Sequence, residues 1–108
     1  MKIYVIAAIS GVALMLSGQT MAADFDAGKS KAAEVCASCH GVDGNSPAPN
    51  FPKIGGQHRS YLSQTLNEYK SGDRVDPIMA GMAAALSEED IDNLAFYYSG
   101  QSGSLNSD

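Results

Sequence analysis

The sequence predicts a small all-α protein built around one long irregular loop. Three segments have the residue spacing of amphipathic helices, and no segment of useful length alternates with the period of a strand. A 17-residue segment rich in proline and glycine separates the first two helices. A loop of that length is uncommon in a domain of this size. It therefore predicts that the loop wraps around something other than protein.

The first two predicted helices have clear boundaries. The first covers residues 26–38 and takes Asp26 as its N-cap, because a carboxylate there accepts hydrogen bonds from free backbone amides. The second covers residues 58–72 and ends at Gly72, a residue that adopts the left-handed conformation at little cost. One face of this second helix is predicted to be buried, and it carries Tyr61, Leu62, Thr65, Leu66 and Tyr69.

The third predicted helix covers residues 87–100. Ser87 is a favourable N-cap, and the three acidic residues that follow it complement the positive end of the helix dipole. Gly100 is predicted to end the helix. The polar residues 101–108 then predict a disordered tail.

Residues 1–22 have the pattern of a secretory signal peptide, with Lys2 before an apolar run and a cleavage point after Ala22. The apolar run of about 14 residues is shorter than the ~20 residues of a membrane-spanning helix. Export predicts a periplasmic location, with residues 23–100 forming the single domain. No membrane span is predicted.

The chain that follows the signal peptide is acidic, with six basic and twelve acidic residues. Binding of nucleic acid is not expected, since it calls for a basic patch. Only 86 residues remain after Ala22, and a core of that size is marginal without a staple or a cofactor.

Both cysteines and one of the two histidines lie in a single five-residue stretch, Cys36-Ala-Ser-Cys39-His40. A redox dithiol of this spacing accompanies a βαβ pattern, which is missing from the sequence. A structural zinc site needs four ligands in two spaced pairs, and the chain offers only His58 in addition. The remaining interpretation is covalent attachment of haem c. Two thiols one helical turn apart reach the two vinyl groups, and His40 supplies the proximal iron ligand.

The distal iron ligand has three candidates, Met79, Met82 and His58. Both methionines lie in residues 73–86, which are predicted as a loop that crosses to the distal side. Met79 is favoured, with Met82 next, although methionines more often fill a core. His58 is expected to be a surface residue. Arg59 beside it either pairs with a haem propionate or is solvated, and the residues leave that choice open.

Four segments carry a resemblance to a known family: AGKSKAAEVCASCHG, DGNSPAPNFPKIGGQ, YL..TL..YKSG.R and IMAGMAAALSEEDIDNLAFYYS. Together they resemble the class I c-type cytochromes, most closely the cytochrome c4 and c553 type. The resemblance implies a small cytochrome c fold with one covalent haem c. It implies thioether attachment through Cys36 and Cys39, with His40 and Met79 as axial ligands.

The same resemblance implies three supporting residues. Gly28 matches the glycine at which the first and last helices cross, and Tyr97 matches the aromatic residue that packs on it. Pro49 matches the proline whose carbonyl accepts from the ring N–H of the proximal histidine, a bond that orients the imidazole.

The function implied is a periplasmic electron carrier and not an enzyme. It would shuttle single electrons between a membrane donor complex or dehydrogenase and a terminal oxidase or reductase. Cytochrome c4 proteins hold two haem domains in tandem, whereas this chain has one attachment motif, so pairing as a homodimer is left open. The rival interpretations are a haem that opens to peroxide or a small gas, and a sensor module.

Overall fold

The protein is described from a computed structural model, which describes residues 2–4, 11 and 22–106. These residues form five α-helices and no strand, so the predicted all-α class is confirmed. The helices are α1 (Phe25–Val35), α2 (Ala37–His40), α3 (Arg59–Ser71), α4 (Pro77–Ala84) and α5 (Glu88–Ser99). Most of the predicted signal peptide, residues 1–22, lies outside the described residues.

Helix α1 begins earlier than predicted and ends sooner. Its N-cap is Asp24, whose carboxylate accepts from the amide of Ala27 at 3.0 Å, so the prediction of Asp26 is wrong. The backbone amide of Asp24 is itself held by the side chain of buried Asn93 at 2.7 Å, and this fixes the start of the helix at that residue. At Cys36 the backbone leaves the helical path, and the single-turn helix α2 follows.

The predicted boundaries of α3 and α5 are confirmed. Gly72 follows α3 with φ 88°, the left-handed conformation that favours glycine. Ser87 caps α5 through a reciprocal pair of hydrogen bonds with Asp90, and Gly100 follows its last residue.

Helix α4 replaces the loop that the sequence predicted over residues 73–86. Asp76 is its N-cap and Pro77 its first helical residue, a combination that favours a helix start. The eight residues of α4 lack a clear apolar stripe, and for this reason periodicity did not indicate a helix. The two candidate methionines therefore lie on a helix.

The core is formed where α1 and α3 pack on α5, while α4 packs on α3. Helices α1 and α5 cross at Gly28, where a Cβ atom would lie 2.1 Å from the carbonyl oxygen of Asn93 and 2.9 Å from the Cβ of Tyr97. The predicted close approach of these two helices is thus confirmed. The buried apolar residues are Ala32, Leu62, Ala83, Leu86, Ile91, Leu94, Ala95, Tyr97 and Tyr98.

The long loop between α2 and α3 is held by its own backbone and by the end of the chain. The carbonyl of Gly44 accepts from the amides of Ile54 and Gly55 at 2.7 and 2.9 Å. The side chain of Asn45 donates to the carbonyl of Ser102 at 2.9 Å. Residues 101–106 therefore pack against the loop, where the sequence predicted a disordered tail.

Candidate functional site

A cleft between α2, α3 and α4 brings the chemistry-bearing residues of the sequence together. It consists of two cavities, of about 190 and 70 Å³, that share Cys36, His40, Tyr69 and Met79. The larger cavity is also lined by residues of the long loop and of α4, and the smaller one by apolar side chains of α3 and α5. Both cavities are thus mostly apolar, and the larger one adds polar groups such as Asn50 and Asp76.

The two cysteines line this cleft as free thiols. Burial raises the pKa of the Cys36 thiol to about 11, although a hydrogen bond with Tyr98 acts in the opposite direction. A redox dithiol needs a thiol whose pKa is lowered. The environment of Cys36 therefore disfavours the dithiol interpretation. It suits a cysteine that forms a permanent covalent bond, such as a thioether.

His40 is buried beside the cysteines, and its ring is oriented by the loop. Its Nδ1 lies 2.8 Å from the carbonyl oxygen of Pro52. The other ring nitrogen, Nε2, takes no part in this contact. The resemblance implied Pro49 as the acceptor, and that prediction is wrong. The amide of Phe51 donates to the carbonyl of Ala48 and closes a turn before Pro52. After this turn the carbonyl of Pro52 reaches the ring of His40. The exposed Pro49 lies within the turn.

Met79 reaches the same cleft from the first turn of α4. It is half-buried and lines both cavities, as His40 does. Met82 lies one turn further on, is 48% exposed and lines only the larger cavity. The structure thus brings an imidazole and a thioether, 39 residues apart in sequence, to one cleft.

Two cleft residues were missed by the sequence reasoning. Asp76 lines the larger cavity and accepts from the backbone amide of Met79 at 2.9 Å. Tyr69 lines both cavities, and its hydroxyl accepts from Nε of Arg74 at 3.0 Å. The signal for Asp76 was present as an Asp-Pro pair before an apolar segment. Tyr69 was assigned to the buried face of its helix, but nothing in its spacing distinguished a cleft from a core.

Two tyrosines of α5 fix the chain immediately after His40. The hydroxyl of Tyr97 donates to the carbonyl of Val42 at 2.5 Å, and that of Tyr98 donates to the carbonyl of Gly41 at 3.2 Å. Because both tyrosine rings are buried, these bonds connect the core directly to the end of the attachment motif. The sequence predicted the packing role of Tyr97 but neither hydrogen bond.

Neither His58 nor Arg59 lines the two cavities. His58 is exposed at the N-cap of α3, in agreement with its prediction as a surface residue. The guanidinium of Arg59 lies 4.6 Å from the centroid of the Phe96 ring, a cation–π contact. A role of Arg59 in cofactor binding stays a prediction, and the structure gives its side chain a different partner.

The donor set of the cleft fits haem c. Two thiols stand near the imidazole of His40, and a soft thioether reaches the same space from another helix. The mostly apolar lining of both cavities suits a macrocycle, and the polar groups of the larger cavity suit its charged edge.

The chain is similar to known proteins in sequence and in structure. A family model described as Cytochrome c matches residues 25–100. Cytochrome c4 of Stutzerimonas stutzeri is 45% identical over 102 residues, which cover 85% of this chain and 48% of that protein. A protein named thiosulfate dehydrogenase electron acceptor, from S. stutzeri strain A1501, is 42% identical over 94 residues, which cover 81% of this chain and 44% of that protein.

The crystal structure of reduced recombinant cytochrome c4 from Pseudomonas stutzeri has the same fold. It superposes with a TM-score of 0.70 at 47% identity, over 77% of this chain and 48% of that one. The chain therefore spans about half the length of these relatives. The predicted resemblance to cytochrome c4 is confirmed, and the single Cys-x-x-Cys-His motif accounts for one covalent haem c. With its helical fold, its attachment motif and its family match in agreement, the chain belongs to the cytochrome c family.

Proposed function

We propose that the protein is a periplasmic carrier of single electrons whose haem iron is ligated by His40 and Met79. The observation that carries the proposal is that these two side chains, from different helices, line the same two cavities together with Cys36. Cys36 and Cys39 would hold the haem through thioethers. The haem supplies the redox chemistry, an iron that cycles between the ferrous and ferric states.

The other residues of the cleft would tune and protect that chemistry. The Pro52 carbonyl fixes the tautomer and orientation of the His40 ring, and it raises the basicity of the imidazole. The thioether of Met79 favours the reduced state and raises the potential. If His40 and Met79 both bind the iron, the chain itself would occupy the places that a substrate or a gas would need. This supports electron transfer over peroxide chemistry or gas sensing.

Met79 is the preferred iron ligand over Met82 because it is less exposed and lines both cavities. Met82 is 48% exposed and lines only the larger cavity. Met79 lines both cavities and lies in the turn that the Asp76 cap holds. Electron exchange with a partner would occur near the mouth of the larger cavity, where Ile78 and Met82 are exposed.

The partners would be redox proteins with basic docking surfaces. Residues 23–108 include six basic and twelve acidic residues, and charge complementarity mainly raises the rate of encounter. A relative that is named as the electron acceptor of thiosulfate dehydrogenase supports a dehydrogenase as the donor. The acceptor would be a terminal oxidase or reductase. Transfer should become slower as ionic strength increases, and a rate indifferent to salt would count against this docking mode.

The periplasmic location rests on the sequence of residues 1–22. No helix among the residues that the structure describes is long and apolar enough to cross a membrane. Expression of the full chain in a bacterium with haem-attachment machinery tests the location. Mass spectrometry of the periplasmic protein should give the mass of residues 23–108 plus one haem. A retained leader would contradict the proposed cleavage.

An absorption spectrum of the purified protein tests the iron ligands. The ferric protein should show the weak iron–sulfur charge-transfer band in the red, and Met79→Ala should abolish it. Met82→Ala is the matched control and should retain the band. Loss of the band in Met82→Ala alone would reassign the ligand. Rapid binding of carbon monoxide to the ferrous wild type would favour the rival functions with an open iron.

A further inference from the structure

We propose that Asp76 is a positioning residue for the distal ligand: its carboxylate holds the first turn of α4 and so keeps the Met79 side chain in the cleft. This inference rests on the proposed function, since it takes Met79 as the iron ligand. It adds a residue that lies outside the ligand set and acts through the backbone of the ligand itself.

The carboxylate of Asp76 makes two hydrogen bonds to the start of α4. Its Oδ1 accepts from the amide of Ile78 at 3.0 Å and from the amide of Met79 at 2.9 Å. The backbone carbonyl of Asp76 accepts from the amide of Ala80 at 2.8 Å, the first bond of the helix. The residue that would bind iron is thus bonded directly to the cap.

Helix α4 is shorter than α1, α3 and α5, so we expect it to depend more on its cap than they do. It has eight residues, and helices this short are marginal in water without outside support. It also contains Gly81, which costs helix stability. Its packing on the protein is light: Ala83 is buried, while Ile78 and Met82 remain about half exposed.

The two ends of the α4 segment are held in different ways. Beyond its C-terminal end, the ammonium of Lys70 donates to the carbonyl of Leu86, which ties that end to α3. Before its N-terminal end, Arg74 ties the chain to α3, through its amide to the carbonyl of Glu68 at 3.1 Å and through its Nε to the hydroxyl of Tyr69 at 3.0 Å. Val75, which follows Arg74, is however 90% exposed. The half-buried Asp76 is therefore the restraint nearest to Met79, and it lies on the wall of the same cavity.

Removing the cap should allow the first turn of α4 to open and Met79 to leave the iron more often. Loss of an aspartate N-cap corresponds to a change of about five- to thirtyfold in a local equilibrium. Carbon monoxide added to the ferrous holoprotein reports this opening, because it binds only when the distal position is free. Asp76→Ala should raise the observed rate of carbon monoxide binding about five- to thirtyfold.

Two further variants separate positioning from general destabilisation. Asp76→Asn retains a side-chain oxygen that caps about as well, so it should keep the wild-type binding rate. Asp24→Ala removes the equivalent cap of α1, which carries no candidate ligand. It should lower the thermal midpoint without changing the binding rate. Asp76→Leu also lacks a side-chain oxygen that can accept these hydrogen bonds, and it replaces Asp76→Ala if that variant cannot be purified.

The outcomes distinguish this inference from the proposed function. A red band that is lost in Met79→Ala, together with a wild-type binding rate in Asp76→Ala, would overturn the role of Asp76 and leave Met79 as the ligand. A band that survives in Met79→Ala would overturn both. A faster rate in Asp24→Ala equal to that in Asp76→Ala would show global loosening and would also overturn the positioning role.

Discussion

Gly28 and Asn93 approach so closely that a side chain on the glycine has no space: a Cβ atom would lie 2.1 Å from the carbonyl oxygen of Asn93. The obstacle is backbone, which cannot rotate away as a side chain would. We expect Gly28→Ala to force α1 and α5 apart and to lower the free energy of unfolding by about 3 kcal/mol. Chemical denaturation of the ferric holoprotein measures this loss.

Gly81 provides the matched control for that substitution. It also lies inside a helix, but a Cβ atom there would meet no protein atom within 4 Å. Gly81→Ala should therefore raise the free energy of unfolding by about 0.5–1 kcal/mol. Equal losses in the two variants would mean that helix crossing is not what Gly28 permits.

The hydrogen bond between His40 and Pro52 predicts a change in reduction potential. Pro52→Ala removes the ring that fixes the backbone before the accepting carbonyl, so the bond should weaken and the imidazole should become a poorer electron donor. The reduction potential should rise by up to about 60 mV. This is the shift that a tenfold change in the equilibrium constant between the oxidised and reduced forms produces in a one-electron couple. Redox titration followed by absorbance measures it.

Pro49→Ala is the control for the histidine bond. Pro49 is exposed and lies three residues before the accepting carbonyl. Its replacement should leave the potential unchanged. A larger shift in Pro49→Ala than in Pro52→Ala would restore the assignment that the resemblance implied.

Tyr98 predicts how stability depends on alkaline pH. Burial raises the pKa of Tyr98 above its ordinary value of 10.0. Above pH 10 the unfolded chain loses this proton while the folded protein keeps it, so the unfolded state binds fewer protons. The free energy of unfolding should then fall with rising pH, by up to about 1.4 kcal/mol per pH unit from this group.

Tyr98→Phe should remove the part of this alkaline loss that Tyr98 causes, whereas Tyr97, whose pKa burial also raises, should keep a smaller slope. It should also cost about 1 kcal/mol at neutral pH, because the hydrogen bond to the carbonyl of Gly41 is lost. Tyr61→Phe, at a residue that is 44% exposed, should keep the wild-type slope. Denaturation curves between pH 8 and about 11 provide the comparison, and an unchanged slope in Tyr98→Phe would contradict the prediction.

Arg59 predicts a stability effect without a redox effect. Its guanidinium lies over the Phe96 ring, and an exposed contact of this kind contributes about 0.5–1 kcal/mol. Arg59→Ala should lower the free energy of unfolding by that amount and leave the potential unchanged. A clear fall in potential would instead support pairing with a haem propionate.

Motifs with a fixed local geometry were predictable from the sequence, and contacts between distant segments were not. The caps and ends of α3 and α5 depend on residues within one turn, so Gly72 and Ser87 could be identified directly. The Cys-x-x-Cys-His stretch has the same local character. The start of α1 depends in part on Asn93, 69 residues away, and no spacing rule reveals that contact.

The site shows the same division. The sequence predicts the groups of the donor set, and in the structure His40 and Met79 line the same cleft. The choice among the prolines of the long loop required the path of the backbone, and the resemblance implied the wrong one. Helix α4 was missed because its sequence, almost uniformly apolar and small, has no face to distinguish. Its capping pair was the better signal.

The bonds from Tyr97 and Tyr98 to the carbonyls after His40 also impose an order in time. A chain is synthesised from its N-terminus, so the attachment motif exists before either tyrosine does. Until α5 is made and docks, neither of these two hydrogen bonds can form. The last of the described helices thus completes the hold on the backbone that follows the motif.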